Sequence, residues 1–120
     1  MEKTRAPHRM EIWYANLPLN MDSCVQGGSR PVVIISNNIC NELNQVITVI
    51  PMTRQMKKLN QPSHTVIDAP NGGQSLVLAE QIITIDKKLL DNRIGKVMEY
   101  DLEKVETAIL EQLGMSEKEK

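Results

Sequence analysis

Gln26-Gly27-Gly28-Ser29-Arg30-Pro31-Val32-Val33-Ile34-Ile35 is the stretch on which the reading of this chain turns. Val32 to Ile35 form a continuous β-branched run, short enough to predict a strand buried on both faces. Arg30-Pro31 opens that run. Before it, Met21 to Ser29 mixes Asp, Ser, Cys and Gln with two glycines, which predicts a loop. A glycine-rich loop lets backbone amides approach an anion closely. Arg30 beside it offers a permanently charged, forked donor suited to phosphate. Taken alone, Gly-Gly-x-Arg more often marks a plain turn with a surface arginine.

Outward from this stretch the chain reads as short strands followed by one helix. Glu11 to Leu17 serves as a first strand. Asn37 to Asn44 is a polar connection with one helical turn. Val46 to Thr53 is a second β-branched run, and Pro51 within it implies an edge, a bulge or a strand end. Arg54 to Pro62 is a basic loop. His64–Asp68 and Ser75–Ala79 are strands joined by a turn at Asn71-Gly72-Gly73. Ile82 to Ile85 is a short strand or irregular, and Arg93 to Met98 a final strand. Asp101 is a natural N-cap for a helix running to Leu113, and Gly114 supplies its stop. Leu102, Val105, Ile109 and Leu113 follow the helical period and predict its core face, with Glu103, Glu106 and Glu111 pointing outward. The expectation is one domain over residues 9–114, with tails at 1–8 and 115–120.

The 120 residues have room for one domain and one core. With 41% hydrophobic and 24% charged residues, the composition is that of an ordinary globular protein. There is no Phe, and Trp13, Tyr14 and Tyr100 are the only aromatics, so the core must be aliphatic. No apolar run reaches the length of about 20 residues that a membrane helix needs. The polar start, Met1 to Arg9, lacks an apolar signal region, so a cytoplasmic protein without membrane association is expected. Cys24 and Cys40 read as two free thiols. The net charge of −1 does not advertise a nucleic-acid binder. It is unevenly spread: residues 1–79 hold seven Lys/Arg against five Asp/Glu, and residues 80–120 hold seven against ten. A groove built from the first part can still be locally positive.

Several catalytic machines are absent as motifs: H-E-x-x-H, a cysteine zinc cluster, a P-loop, G-x-G-x-x-G and a nucleophile elbow. His8 and His64 are the only histidines, so a two-histidine ribonuclease site within one chain is disfavoured, and no metal or other cofactor is expected. What remains is polar residues at strand ends. Beside the Arg30 stretch stand Thr53-Arg54-Gln55 with Lys57-Lys58, where a hydroxyl lies near three cations, and Glu80-Gln81 after an apolar strand. Each has a plain structural reading, as a strand threonine, a solvated loop and a strand exit.

Together, and in this order, these segments resemble the MazF/PemK toxin family. The likeness runs from about Arg9 to Leu113. It is carried by 11–17, by 26–37, by Val49-Ile50-Pro51-Met52-Thr53, by Pro62-Ser63-His64-Thr65, and by Leu78-Ala79-Glu80-Gln81-Ile82-Ile83-Thr84-Ile85-Asp86. The resemblance implies a mainly β fold with α, an SH3-like barrel of the CcdB/PemK type ending in a helix and working as a homodimer. It implies a metal-independent endoribonuclease that cuts single-stranded RNA at short sequences, often in messenger RNA. A cognate, MazE-like antitoxin would block the groove with an extended segment. By motif, Arg30 and Thr53 fall on the family's catalytic arginine and threonine. Gln26, Gly27, Gly28, Ser29, Arg54, Lys57, Glu80 and Gln81 fall on or beside positions lining or supporting the RNA groove.

One departure stands out. The family often has Gly-Ser two and three residues before the glutamine; here Ser23-Cys24-Val25 precedes Gln26, so Cys24 takes the serine position. A thiol is a weaker hydrogen-bond donor than a hydroxyl, which leaves open whether Cys24 or Ser23 serves that contact. The expected chemistry is attack of the RNA 2′-OH on the adjacent phosphorus, giving a 2′,3′-cyclic phosphate and a 5′-OH end. His64 is a candidate base by its ordinary pKa range, though a histidine inside a strand is more often structural. The rival readings are a gyrase-poisoning toxin and a non-catalytic RNA-binding protein on the same fold.

Overall fold

The computed structural model describes residues 6–18 and 26–116. Its elements are β1 (Glu11–Leu17), β2 (Gly28–Ile34), α1 (Asn38–Leu43), β3 (Val46–Thr53), β4 (His64–Asp68), β5 (Gln74–Leu78), β6 (Ile83–Asp86), β7 (Leu90–Lys96) and α2 (Leu102–Gln112). Three-residue 3₁₀ turns sit at Ala79–Gln81, Lys87–Leu89 and Glu99–Asp101. The strands pair in the order β4-β5-β3-β2-β1-β7, all antiparallel, with β6 also on β3. The fold is mainly β with a terminal helix.

Val32, Val33 and Ile34 are fully buried, and they face alternate sides as strand geometry requires. Val33 joins a core with Ile12, Ile50, Met52, Val77 and, from α2, Val105 and Ala108. Val32 and Ile34 join a second core with Ala15, Leu17, Ile47, Val49 and Ile85. Burial on both faces explains why the run does not alternate with polar residues.

The strand also begins earlier than its apolar run. Gly28, Ser29, Arg30 and Pro31 pair with Leu17, Asn16, Ala15 and Tyr14 of β1, so part of the expected loop is ladder. Pro51 does not interrupt β3 and is buried within it. β3 pairs with β6 over Val46–Val49 and with β5 over Met52–Thr53, so Pro51 lies where one neighbour has ended and the next has not begun. On the other side, β2 and β3 part after Val32↔Pro51. Pro31 and Pro51, neither with an N–H to donate, therefore flank a fork in the sheet. Beyond it β2 continues along β1, and β3 continues along β5.

Three other expectations change. Asp101 precedes α2, but its side chain makes no cap bond. Its carboxylate instead accepts from Asp68 N (2.9 Å) and pairs with Lys104 (3.1 Å), docking the helix onto β4. Leu113 is 52% exposed because the helix ends at Gln112, and Ala108 completes the buried face. At the start, Pro7 O accepts from the buried Asn41 side chain (3.1 Å) and His8 N donates to Glu11 (2.9 Å), so residues 7 and 8 belong to the fold.

β7 and β4 end the sheet without pairing to each other. Packing brings β7 against the β4–β5 connection instead: a Cβ on Gly95 would lie 2.6 Å from Pro70 Cβ and 2.9 Å from its Cγ. Gly95→Ala is expected to lower stability by about 1–3 kcal/mol through overpacking, read as a reduced urea midpoint with unchanged slope.

Candidate active site

The fork between β2 and β3 opens into a cleft of about 330 Å³. Arg30 and Pro31 form one wall from β2, Met52 and Thr53 the other from β3, and Ile12, Tyr14 and Ile94 supply part of the floor. The far rim is Arg54, Gln55, Ala69, Pro70, Asn71 and Ser75. The lining mixes apolar groups with hydroxyls, amides and two guanidinium groups. Among the described residues no carboxylate lines the cleft, and two guanidinium groups do, so this lining is positive within a chain of net charge −1.

Arg30 is held by its own loop. Its Nε donates to Gly27 O at 2.8 Å, and its two terminal nitrogens bond to no described residue. The fork of the guanidinium is thus oriented and still has donors to offer. Gly28 has φ +82°, a conformation glycine adopts without strain. Thr53 is buried, and its Oγ1 accepts from Gln55 N at 3.1 Å. That bond uses a lone pair and leaves the hydroxyl proton to be donated. Arg54 is tied to the far rim, donating to Gly72 O (2.8 Å) and Asn71 Oδ1 (3.4 Å). The tie is close: a Cβ on Gly73 would stand 2.5 Å from Arg54 Nη1.

Of the residues expected in the site, Ser29, Arg30, Thr53 and Arg54 meet in this cleft. Ser23 and Cys24 lie outside the described residues. Gln26, Gly27 and Gly28 support the cleft from behind Arg30, where Gln26 N donates to Gln81 Oε1 at 2.7 Å. Lys57 is exposed on the loop after β3 and does not line the cleft. Glu80 and Gln81 sit on the 3₁₀ turn after β5, also outside the lining.

His64 is not brought to Arg30 and Thr53. Its side chain is 2% exposed, with Nδ1 against Lys58 O (3.0 Å) and Lys57 O (3.2 Å) and Nε2 against Glu80 Oε2 (2.8 Å). Both ring nitrogens face acceptors, an arrangement that ties β4 to the basic loop and to the 79–81 turn. Sequence reasoning did not single out Tyr14, Asn71 and Ser75 as site residues; they reach the cleft through strand pairing and a turn. Among the described residues, no three His, Cys, Asp or Glu side chains are grouped as metal ligands would be.

Burial pushes the Glu80 carboxyl up, but hydrogen bonds from His64, its own backbone and Ser63, with the His64 charge, outweigh this and hold it below its ordinary value. A carboxyl lowered on folding stabilises above its unfolded value, and that contribution is lost as pH falls through the folded one. Acid is therefore expected to reduce the urea midpoint as pH drops below about 4.5. Glu80→Gln should flatten that part of the profile. An identical acid limb in the variant would assign the loss to other carboxylates.

The family described as PemK-like, MazF-like toxins of type II toxin–antitoxin systems matches residues 8–113. The chain belongs to the PemK/MazF toxin family. Within that family it is 36% identical over 104 residues to endoribonuclease EndoA of Bacillus subtilis (strain 168), covering 84% of this chain and 89% of that protein. Its fold matches that of MazF from Deinococcus radiodurans with a TM-score of 0.78 at 22% identity, over 92% of this chain and 98% of the other. It also matches an endoribonuclease solved in complex with its cognate antitoxin from a mycobacterial species. There the TM-score is 0.74 at 24% identity, over 92% and 98% of the two chains. These PemK/MazF structures share the open antiparallel sheet and C-terminal helix seen here.

Proposed function

We propose that this PemK/MazF toxin is an endoribonuclease that cuts single-stranded RNA without a metal ion, with Arg30 and Thr53 at the scissile phosphate. The observation that carries the reading is the cleft in the sheet fork, where these two residues line it from the ends of β2 and β3 and no carboxylate stands among the described lining residues. The 2′-oxygen bonds to phosphorus as the bond to the 5′-oxygen breaks. A 2′,3′-cyclic phosphate and a 5′-OH end result, the 2′-proton being lost and the 5′-oxygen gaining one. Arg30 stabilises the charge growing on the non-bridging oxygens, and Thr53 donates its hydroxyl to the same group. Among the described residues the lining supplies guanidinium groups and hydroxyls, which stabilise charge and orient the phosphate.

Bases beside the scissile phosphate are read on their edges by the amides and hydroxyls of the rim, as is usual for unpaired RNA. The natural inhibitor is a MazE-like antitoxin whose extended segment occupies the same cleft. The active form is a homodimer in the bacterial cytoplasm.

Purified protein incubated with a long single-stranded RNA in excess EDTA tests this reading, with 5′ ends mapped. Discrete cuts bearing 5′-OH ends are expected. RNA bound but uncut would indicate a silent RNA-binding protein, and neither binding nor cutting would point to a protein target such as gyrase.

A further inference from the structure

We propose that Gln81 is a positioning residue for Arg30, acting through the loop backbone and not through contact with RNA. The inference rests on the function proposed above and concerns how its arginine is held. Gln81 Oε1 accepts from Gln26 N at 2.7 Å, and the next residue, Gly27, presents the carbonyl that accepts from Arg30 Nε at 2.8 Å. The oxygen that aims the guanidinium is thus one residue from an amide pinned by a side chain 55 positions away in sequence. Gly27 and Gly28 bring no side chains of their own to fix this segment, and glycine has the most backbone freedom to lose. A tertiary anchor is what such a loop requires.

The anchor is itself fixed. Ile82 N closes the 3₁₀ turn on Ala79 O at 3.3 Å. Glu80, beside Gln81, is bonded to His64 Nε2 (2.8 Å) and Ser63 Oγ (3.1 Å). Gln81 does not line the cleft that holds Arg30 and Thr53.

The test uses the full chain with Gln81→Leu, which removes the acceptor, and Gln81→Glu, which keeps an oxygen in its place. Two readouts are taken: amide exchange at Gln26, and steady-state cleavage of an RNA oligonucleotide carrying a mapped site. For Gln81→Leu, exchange at Gln26 should rise at least about tenfold. Its kcat should fall about ten- to hundredfold with KM within about twofold, the signature of misplacement and not of lost binding. Gln81→Glu should restore both. Unchanged exchange at Gln26 in Gln81→Leu would overturn the clamp. So would a raised KM with kcat kept, or a glutamate variant worse than the leucine one, since either marks direct contact with RNA. If the wild-type chain cuts no RNA, the function proposed above falls, and exchange at Gln26 alone then decides whether the clamp exists.

Discussion

Arg30→Ala is expected to abolish RNA cleavage, with kcat down about a thousandfold or more, while the protein stays folded. A well-placed donor to developing charge contributes about 10²–10³ in rate, and a guanidinium presents two such donors with a full positive charge. Losing the side chain should cost the fold little. Arg30 is partly exposed on the fork side of β2, and its one hydrogen bond to a described residue is to Gly27 O. Circular dichroism and the urea midpoint should therefore match wild type. Arg30→Lys separates charge from geometry: a lysine keeps the cation but not the fork, and most of the loss should persist. Discrete cutting by Arg30→Ala at the wild-type rate would remove Arg30 from the chemistry.

Thr53→Ala should slow cleavage by about tenfold or more. The threonine is 8% exposed and accepts from Gln55 N, so the alanine also frees that amide and costs about 1 kcal/mol of stability. Thr53→Ser keeps the hydroxyl and should keep most activity. Thr53→Val keeps the shape and should behave like alanine. If valine cuts as fast as threonine, the hydroxyl has no part in the reaction, and Thr53 is a strand residue only.

Much of this architecture is legible in the chain because its signals are local. The Val32–Ile35 run, the 46–53 run and the 102–112 helical period each specify an element from within a few residues. The start of β2 is not local: Gly28 to Pro31 are strand because β1 offers them partners. Pro51 is misread for the same reason, since only the pairing of β3 shows that its missing N–H falls at a change of neighbour. At the site, Arg30 and Thr53 stand out by residue type and family motif. That His64 turns away from them, held by Glu80 and two carbonyls, is a fact of tertiary packing no spacing predicts. Gln81 likewise carries its information in a partner 55 residues away.

The β4–β5 hairpin is joined to β3 at two register pairs, Met52↔Val77 and Thr53↔Leu76. The residue proposed to hold the phosphate is thus also half of the joint on which that hairpin hangs. Val77, the partner of Met52 in that joint, is buried in the same core as Val33 and Val105, so the seat of Thr53 and the packing of α2 are closed by one set of contacts.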